Sequence, residues 1–308
     1  MPSKINVLRH LKTLGFYLPV LLILMDCDSR PRSDYTPTYS DQSPLKNTKL
    51  IFAVHPLHNP ARLFEVFSPL IKFLNEQIPE VTISLEASKD YATFDQRLNA
   101  KKYHLALPNP YQTIQALQNG YHVFGKMGDD FNFRGIILTR KDANIRQVTD
   151  LKGKTVSYPA PTALAATMMP QYFLWENGLN IQQDITNAYV GSQESSIMNV
   201  LLKNSDAAAT WPIPWMAFQR KFPDKAAELV VSWETSPLIN NGLVFREDVP
   251  LDVVQKMGNL MFHLQDHEAG RAILHPMEIS QFEAATDESY QIVHDFLQNF
   301  STHVRPLD

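Results

Sequence analysis

From Lys49 onward, short β-branched or apolar runs alternate with stretches in which apolar residues recur every three or four positions. The runs predict strands at Leu50–Val54, Val81–Leu85, His104–Leu107, Gly135–Thr139, Thr155–Tyr158, Ala207–Thr210, Leu229–Trp233 and Gly242–Phe245. The first helix is the best defined: Asn59 can cap it, Pro60 suits its first turn, and Leu63, Val66, Phe67, Leu70, Leu74 and Ile78 form one apolar face. Pro69 lies inside that pattern and predicts a kink. A second helix is expected from Ala163 to Asn177, stopping at Gly178. Further helices are expected at Tyr91–Asn99, Tyr111–Gln118, Glu194–Lys203, Leu251–Gln265 and Asp287–Phe300. Such alternation defines an α/β fold with largely parallel sheets. Periodicity alone leaves open whether the strands form one sheet or two lobes.

The amino end follows a different pattern. Lys4, Arg9 and Lys12 precede a twelve-residue apolar run, Leu14 to Met25. That run is shorter than the roughly 20 residues a membrane-spanning helix needs, so residues 1–26 read as a signal peptide, with an uncleaved anchor as the alternative. The run ends at Leu24-Met25-Asp26-Cys27, and Cys27 is the single cysteine of the chain. With no partner for an internal disulfide, its position just after the apolar run needs another reason. The segment resembles a bacterial lipoprotein signal, which implies lipidation of Cys27; Asp26 stands where that pattern has a small residue. Asp28 resembles the signal that retains lipoproteins at the inner membrane. Residues 27–48 are polar, carry Pro31, Pro37 and Pro44, and read as a tether; residues 28–48 could reach about 65 Å in a polyproline-like state.

Composition narrows the function. With 308 residues, 44% hydrophobic and 19% charged, the chain can build a large core. Removing residues 1–26 leaves 25 basic against 31 acidic residues, a formal charge of −6. There is no general basic surface for nucleic acid, and an anionic ligand would need local donors. The sequence has no Gly-rich phosphate loop, no nucleophile elbow and no H-E-x-x-H, so no catalytic residues, cofactor or metal are assigned. His263 and His267 stand one helical turn apart, but no third ligand follows at a convincing spacing, and a solvated helix face or end is the favoured reading.

Several stretches, in order between Ile51 and Phe245, resemble the phosphonate/phosphite/phosphate-binding family of periplasmic proteins that serve ABC importers. They are Phe67-Ser68-Pro69-Leu70-Ile71-Lys72-Phe73-Leu74; Asp90-Tyr91 with Leu105-Ala106-Leu107-Pro108-Asn109-Pro110-Tyr111; and Ile137-Leu138-Thr139-Arg140-Lys141-Asp142 with Asp150-Leu151-Lys152-Gly153-Lys154-Thr155-Val156. The resemblance implies a two-lobed, type II periplasmic binding protein (venus flytrap) with two hinge crossings, not an enzyme. Lobe one would be residues 49–139 plus 240–308 and lobe two residues 140–239. The implied partners are a small-molecule ligand in the cleft and an inner-membrane ABC permease, the protein acting as a monomer on the periplasmic side. A ligand-sensing or partner-binding lipoprotein with a changed ligand is the alternative.

The resemblance also indicates the cleft. The family's second-lobe anion site is a Pro-x-Ser-Thr-Ser-Gly run with a second proline nine positions on. Pro161 and Pro170 keep that spacing, but the hydroxyl positions are Ala163, Leu164 and Ala165. Backbone N–H groups at the helix start survive, and Thr162 or Thr167 could compensate. The family's Gly-Ser-His-Asp motif reads Gly191-Ser192-Gln193-Glu194, and Asp206 precedes Ala207-Ala208-Ala209 and the aromatic segment from Trp211. On lobe one, His55, Tyr111 and Arg134 are the candidate contacts, Arg134 as a forked donor replacing the lost hydroxyls.

Overall fold

The computed structural model describes residues 48–307, which fall within one compact unit. Cys27 and the expected signal and tether lie outside the described residues. Eleven strands form two sheets among the described residues. They are β1 (Thr48–Val54), β2 (Val81–Ala87), β3 (Leu105–Leu107), β4 (Tyr121–Met127), β5 (Ile136–Arg140), β6 (Thr155–Tyr158), β7 (Thr186–Tyr189), β8 (Ala207–Thr210), β9 (Leu229–Glu234), β10 (Gly242–Arg246) and β11 (Phe282–Glu283). The helices are α1 (Pro60–Gln77), α2 (Tyr91–Asn99), α3 (Pro110–Gln118), α4 (Met169–Glu176), α5 (Gln193–Leu201), α6 (Pro212–Lys221), α7 (Pro223–Ala226), α8 (Leu251–Met261), α9 (Glu268–Leu274) and α10 (Gln291–His303).

The first sheet has the order β11-β4-β10-β3-β1-β2 and the second β7-β6-β8-β5-β9. Strand β1 runs parallel to β2 and β3, and β6 parallel to β7 and β8. Strands β5 and β10, which follow the two crossings, run antiparallel to their neighbours, so the sheets are mixed rather than largely parallel. Because β5 pairs with β8 and β9, residues 136–139 belong to the second lobe. The expected boundary at 139/140 therefore moves to residues 128–135, between β4 and β5; the return crossing is residues 235–241.

The crossings are bonded to each other. Gly135 N donates to Thr235 Oγ1 and Thr235 N to Gly135 O, both at 2.9 Å, while Leu238 N donates to Phe133 O. Asn240 donates to Asp130 Oδ1 and to Gly128 O, and its own carbonyl accepts from Tyr290. Gly135 is where the hinge presses on the second lobe: a Cβ there would lie 2.6 Å from Pro170 Cδ and 2.7 Å from Ala165 O.

Local sequence explains the helices. Asn59 accepts from Arg62 N and caps α1, which runs through Pro69 as one helix. Pro69 sits on the exposed face, where the carbonyl it leaves without a donor can meet water. The helix expected from Ala163 is instead a π-helical turn, Leu164–Met168, followed by α4. Pro170 lacks an N–H and its ring crowds the preceding turn, which accounts for the wider winding before it. Asp90 and Asn109 cap α2 and α3, the latter in a capping box with Gln112.

One apolar cluster runs from the first sheet through the lobe–lobe contact to one face of the second sheet, taking in Phe52, Leu105, Phe133, Leu164 and Trp211. A smaller cluster covers the opposite face, so along β5 Ile136 and Leu138 point one way and Ile137 the other. The small residues of β8 let α5 approach closely: Ser196 Oγ donates to Ala209 O, and Ser157 Oγ to Ser196 O, each at 2.9 Å.

Candidate functional site

Strand ends and helix starts meet between the lobes and enclose a cavity of about 10 Å³, room for roughly one water. From the first lobe come His55 after β1, Tyr91 at the start of α2, Asn109 at the cap of α3 and Asn241 before β10. Phe133 enters from the first crossing. The second lobe supplies Ala163, Leu164, Ala165 and Ala166 at the π-helical turn, Gln193 at the start of α5 and Trp211 at the end of β8. None of these is Lys, Arg, Asp or Glu.

The polar groups around this inner cavity are held in place. His55 Nδ1 lies 2.9 Å from Leu107 O, so it donates there and leaves Nε2 as an acceptor. Burial holds the His55 imidazole down to about 4, neutral at neutral pH. Gln193 donates to Tyr91 Oη at 3.2 Å and accepts from Thr210 at 2.8 Å, which fixes its amide and bridges the lobes. Burial pushes the Tyr91 phenol up, so it stays protonated. Asn241 is fully buried, and its Oδ1 has no hydrogen-bond partner among the described residues. The helix start leaves the N–H groups of Leu164, Ala165 and Ala166 without intrahelical acceptors. Phe133 and Trp211 close the floor edge-to-face at 5.3 Å. The inner cavity thus offers backbone donors on one side, neutral acceptors on the other, and apolar walls.

His55, Ala163, Leu164, Gln193 and Trp211 are brought together there; the other expected site residues are not. Arg134 pairs with Glu234 at 2.7 Å and donates to Phe131 O, tying the first crossing to the end of β9 outside the cavity. Tyr111 is buried in α3 with its hydroxyl accepting from Gln115 at 2.8 Å, while Asn109, two residues earlier, reaches the cavity. Asp206 accepts from Thr155 N at 2.9 Å and faces Lys154 at the opposite end of β8 from Trp211, about 16 Å along the chain. Thr162 donates to Asp95 Oδ2 across the lobes at 3.1 Å, and its carbonyl accepts from Asn109. Thr167 Oγ1 is buried and unpartnered among the described residues. Burial pushes Asp95 up to about 6, opposed by hydrogen bonds from Gln112 and Thr162. Tyr91, Asn109, Phe133, Ala166 and Asn241 were not among the expected contacts, although Tyr91 and Asn109 lie within the family-like stretches Asp90-Tyr91 and residues 105–111.

Glu194 belongs to a second, outer pocket of about 530 Å³, which shares Gln193 with the inner cavity. The first turns of α1 form one wall, with His58, Arg62 and Glu65, and α6 the other, with Pro214, Phe218, Arg220 and Lys221. Each cation has a carboxylate partner: Arg62 with Glu65 at 2.6 Å, Lys221 with Glu194 at 3.2 Å, and Arg220 with Glu278. Desolvation holds His58 down to about 3, helped by Arg62, His55 and Arg220.

No metal centre is formed among the described residues. His263 Nδ1 bonds to Asn259 O, whereas His267 caps α9 by accepting from Gly270 N. Among the described residues no helix is long and apolar enough to cross a membrane.

Two α/β lobes, two bonded crossings and a cavity at the facing ends of the strands define a two-lobed periplasmic binding protein, a class built to close on a solute. The chain belongs to the family of periplasmic substrate-binding proteins of ABC phosphonate transporters, whose model matches residues 52–290. Members of this family are transport proteins, not enzymes. Its fold is similar to that of the binding protein component of an ABC phosphonate transporter from Pseudomonas aeruginosa, at 17% identity over 82% of this chain and 87% of that one, with a TM-score of 0.75. It is also similar to PhnD1 from Prochlorococcus marinus in complex with methylphosphonate, at 18% identity over 83% and 99%, TM-score 0.76. A third, XAC2383 from Xanthomonas citri bound to ATP, gives 14% identity over 84% and 100%, TM-score 0.67. No curated protein matches the sequence.

Proposed function

We propose that the protein is the lipid-anchored solute-binding component of an ABC importer, carrying a phosphonate- or phosphate-like oxyanion to its permease from the periplasmic face of the inner membrane. The observation that carries this reading is the cavity between the lobes, where helix-start N–H groups of one lobe face Asn241 and His55 of the other. A ligand bridging them would favour the closed arrangement by contacting both lobes at once. Closure around the ligand would bring Gln193, Trp211 and the backbone at Ala163 and Leu164 against Tyr91, Asn109 and Asn241 of lobe one. Diacylglyceryl attachment at Cys27 and the tether up to residue 48 would hold a monomeric domain near the permease while leaving it free to turn.

Native mass spectrometry of the protein from its own envelope, with calorimetry against phosphate, phosphite and methylphosphonate, tests this. Micromolar binding of an oxyanion together with an acylated Cys27 is expected; a bare chain that binds no small anion would refute it. A ligand-sensing or partner-binding lipoprotein is the second reading, favoured by the absence of any charged side chain around the inner cavity. Under that reading a signalling enzyme, rather than a permease, would co-purify with it.

A further inference from the structure

The inner cavity and the family's usual cargo are mismatched. Its volume, about 10 Å³, suits roughly one water, and it holds no cation to neutralise a phosphonate. The hydroxyl positions of the family's site are Ala163, Leu164 and Ala165, all buried and none able to donate from its side chain. Volume and positive charge are found instead one step outward. The outer pocket encloses about 530 Å³, within the range of sites for small organic ligands. Arg62, Arg220 and Lys221 line it against the carboxylates of Glu65 and Glu194, while Leu57, Pro214 and Phe218 supply an apolar wall.

We infer that this outer pocket seats the charged group of the ligand, and that the ligand is an organic anion whose apolar substituent is larger than the methyl group of methylphosphonate. This rests on the solute-binding reading above and names the class of solute. The pocket draws its walls from α1 of one lobe and α5 and α6 of the other, so a ligand there contacts both lobes and couples to closure, as the inner cavity does. Gln193 lines both spaces and marks where they adjoin. The ion pairs already present do not block an incoming anion. Lys221 and Arg62 are matched to half-exposed or exposed carboxylates, and pairs of that kind contribute little to stability and exchange readily. An anion with two or three oxygens offers the guanidinium of Arg62 a bidentate partner, while Arg220 stays with the mostly buried Glu278 and adds its charge to the pocket wall. Phe218 and Leu57 are buried at the back of the pocket, where they would cover an aromatic or aliphatic substituent.

Calorimetry of the full chain with phenylphosphonate and methylphosphonate tests the assignment. Phenylphosphonate should bind at least about tenfold more tightly. The double variant Arg62→Gln/Lys221→Gln leaves only exposed carboxylates without partners, so it should fold, and it should weaken phenylphosphonate by about tenfold or more. Ala217→Trp, which fills the pocket from α6, should abolish binding of phenylphosphonate. Methylphosphonate binding as tight as that of phenylphosphonate and unchanged in both variants would overturn the outer site while leaving the solute-binding reading intact. Failure of the wild-type chain to bind either anion would overturn both.

Discussion

The inner cavity and the outer pocket lie side by side, share Gln193, and are built on opposite principles. The inner space is walled by buried, uncharged residues whose amides and imidazole are fixed by neighbours; the outer one is walled by partly exposed cations, of which Arg62 and Lys221 have exposed carboxylate partners that can be exchanged. The contrast separates two tasks that a single helix start with hydroxyl side chains could perform together. Shape and closure belong to the inner layer, where Leu164, Phe133 and Trp211 join the lobes through apolar contact. Charge recognition belongs to the outer layer, where Arg62, Arg220 and Lys221 stand.

The largest effect should come from reversing that division. Replacing Ala163, Leu164 and Ala165 with Ser, Thr and Ser restores three donors at the helix start. Hydrogen bonds to a charged group contribute about 1.5–3 kcal/mol each, so methylphosphonate affinity should rise by about three orders of magnitude, read by calorimetry. An unchanged affinity would mean that the inner layer is closed to oxyanions whatever its side chains.

The hinge behind the inner layer comes next. Gly135→Val places a side chain against Pro170 and Ala165 O, and should destabilise the domain by about 3 kcal/mol in thermal or denaturant unfolding. Retention of wild-type stability would show that the crossing can move away from the π-helical turn.

A smaller effect concerns the clasp between lobes. Asp95 is pushed up to about 6 by burial, so between about pH 4 and 6 the folded state holds a proton that the unfolded state has lost. Stability from this group therefore falls as pH rises through that window and stays lower above it. Asn in its place can still accept from Gln112 and bond to Thr162, so Asp95→Asn should be more stable than wild type by about 1–2 kcal/mol at pH 7.5, the gap closing below pH 4. His55, held down to about 4, acts in the opposite sense over an overlapping range: its contribution is lost as pH falls from about 6.5. The difference between the two proteins, rather than either profile alone, isolates Asp95.

The smallest effect is expected at Arg134. Its guanidinium is committed to Glu234 and Phe131 O at the hinge, so Arg134→Gln should change affinity for any anion by less than about twofold. A tenfold loss would return Arg134 to the ligand.

These residues also show which parts of the molecule its sequence announced. Strands with an unbroken run of apolar or β-branched residues, such as β1, β5 and β10, stand out, as does α1 with its capping residue. Strand β4 escapes because Gly125 and Lys126 interrupt its apolar run, although both are buried in the fold. Strand β7, four residues on a sheet edge with none fully buried, carries too weak a pattern to be recognised. The inner layer was legible through family-like motifs, since Gln193 and Ala163 fall at matching positions. Arg134 and Asp206 were misplaced because spacing along the chain does not say which end of a strand faces the cleft. The outer pocket was announced only through Glu194 in the Gly191-Ser192-Gln193-Glu194 motif: its cations follow no pattern, and α6, which tolerates Pro212 and Pro214 in its first turn, carries Arg220 and Lys221 to the mouth of the cleft.

The most direct measurement is native mass spectrometry of the full chain purified from its own envelope, compared with the Arg62→Gln/Lys221→Gln variant prepared in the same way. The wild-type protein should retain a small organic anion heavier than methylphosphonate, and the variant should lose it. Inorganic phosphate or methylphosphonate retained equally by both proteins would contradict the division between a neutral inner cavity and a charge-recognising outer pocket.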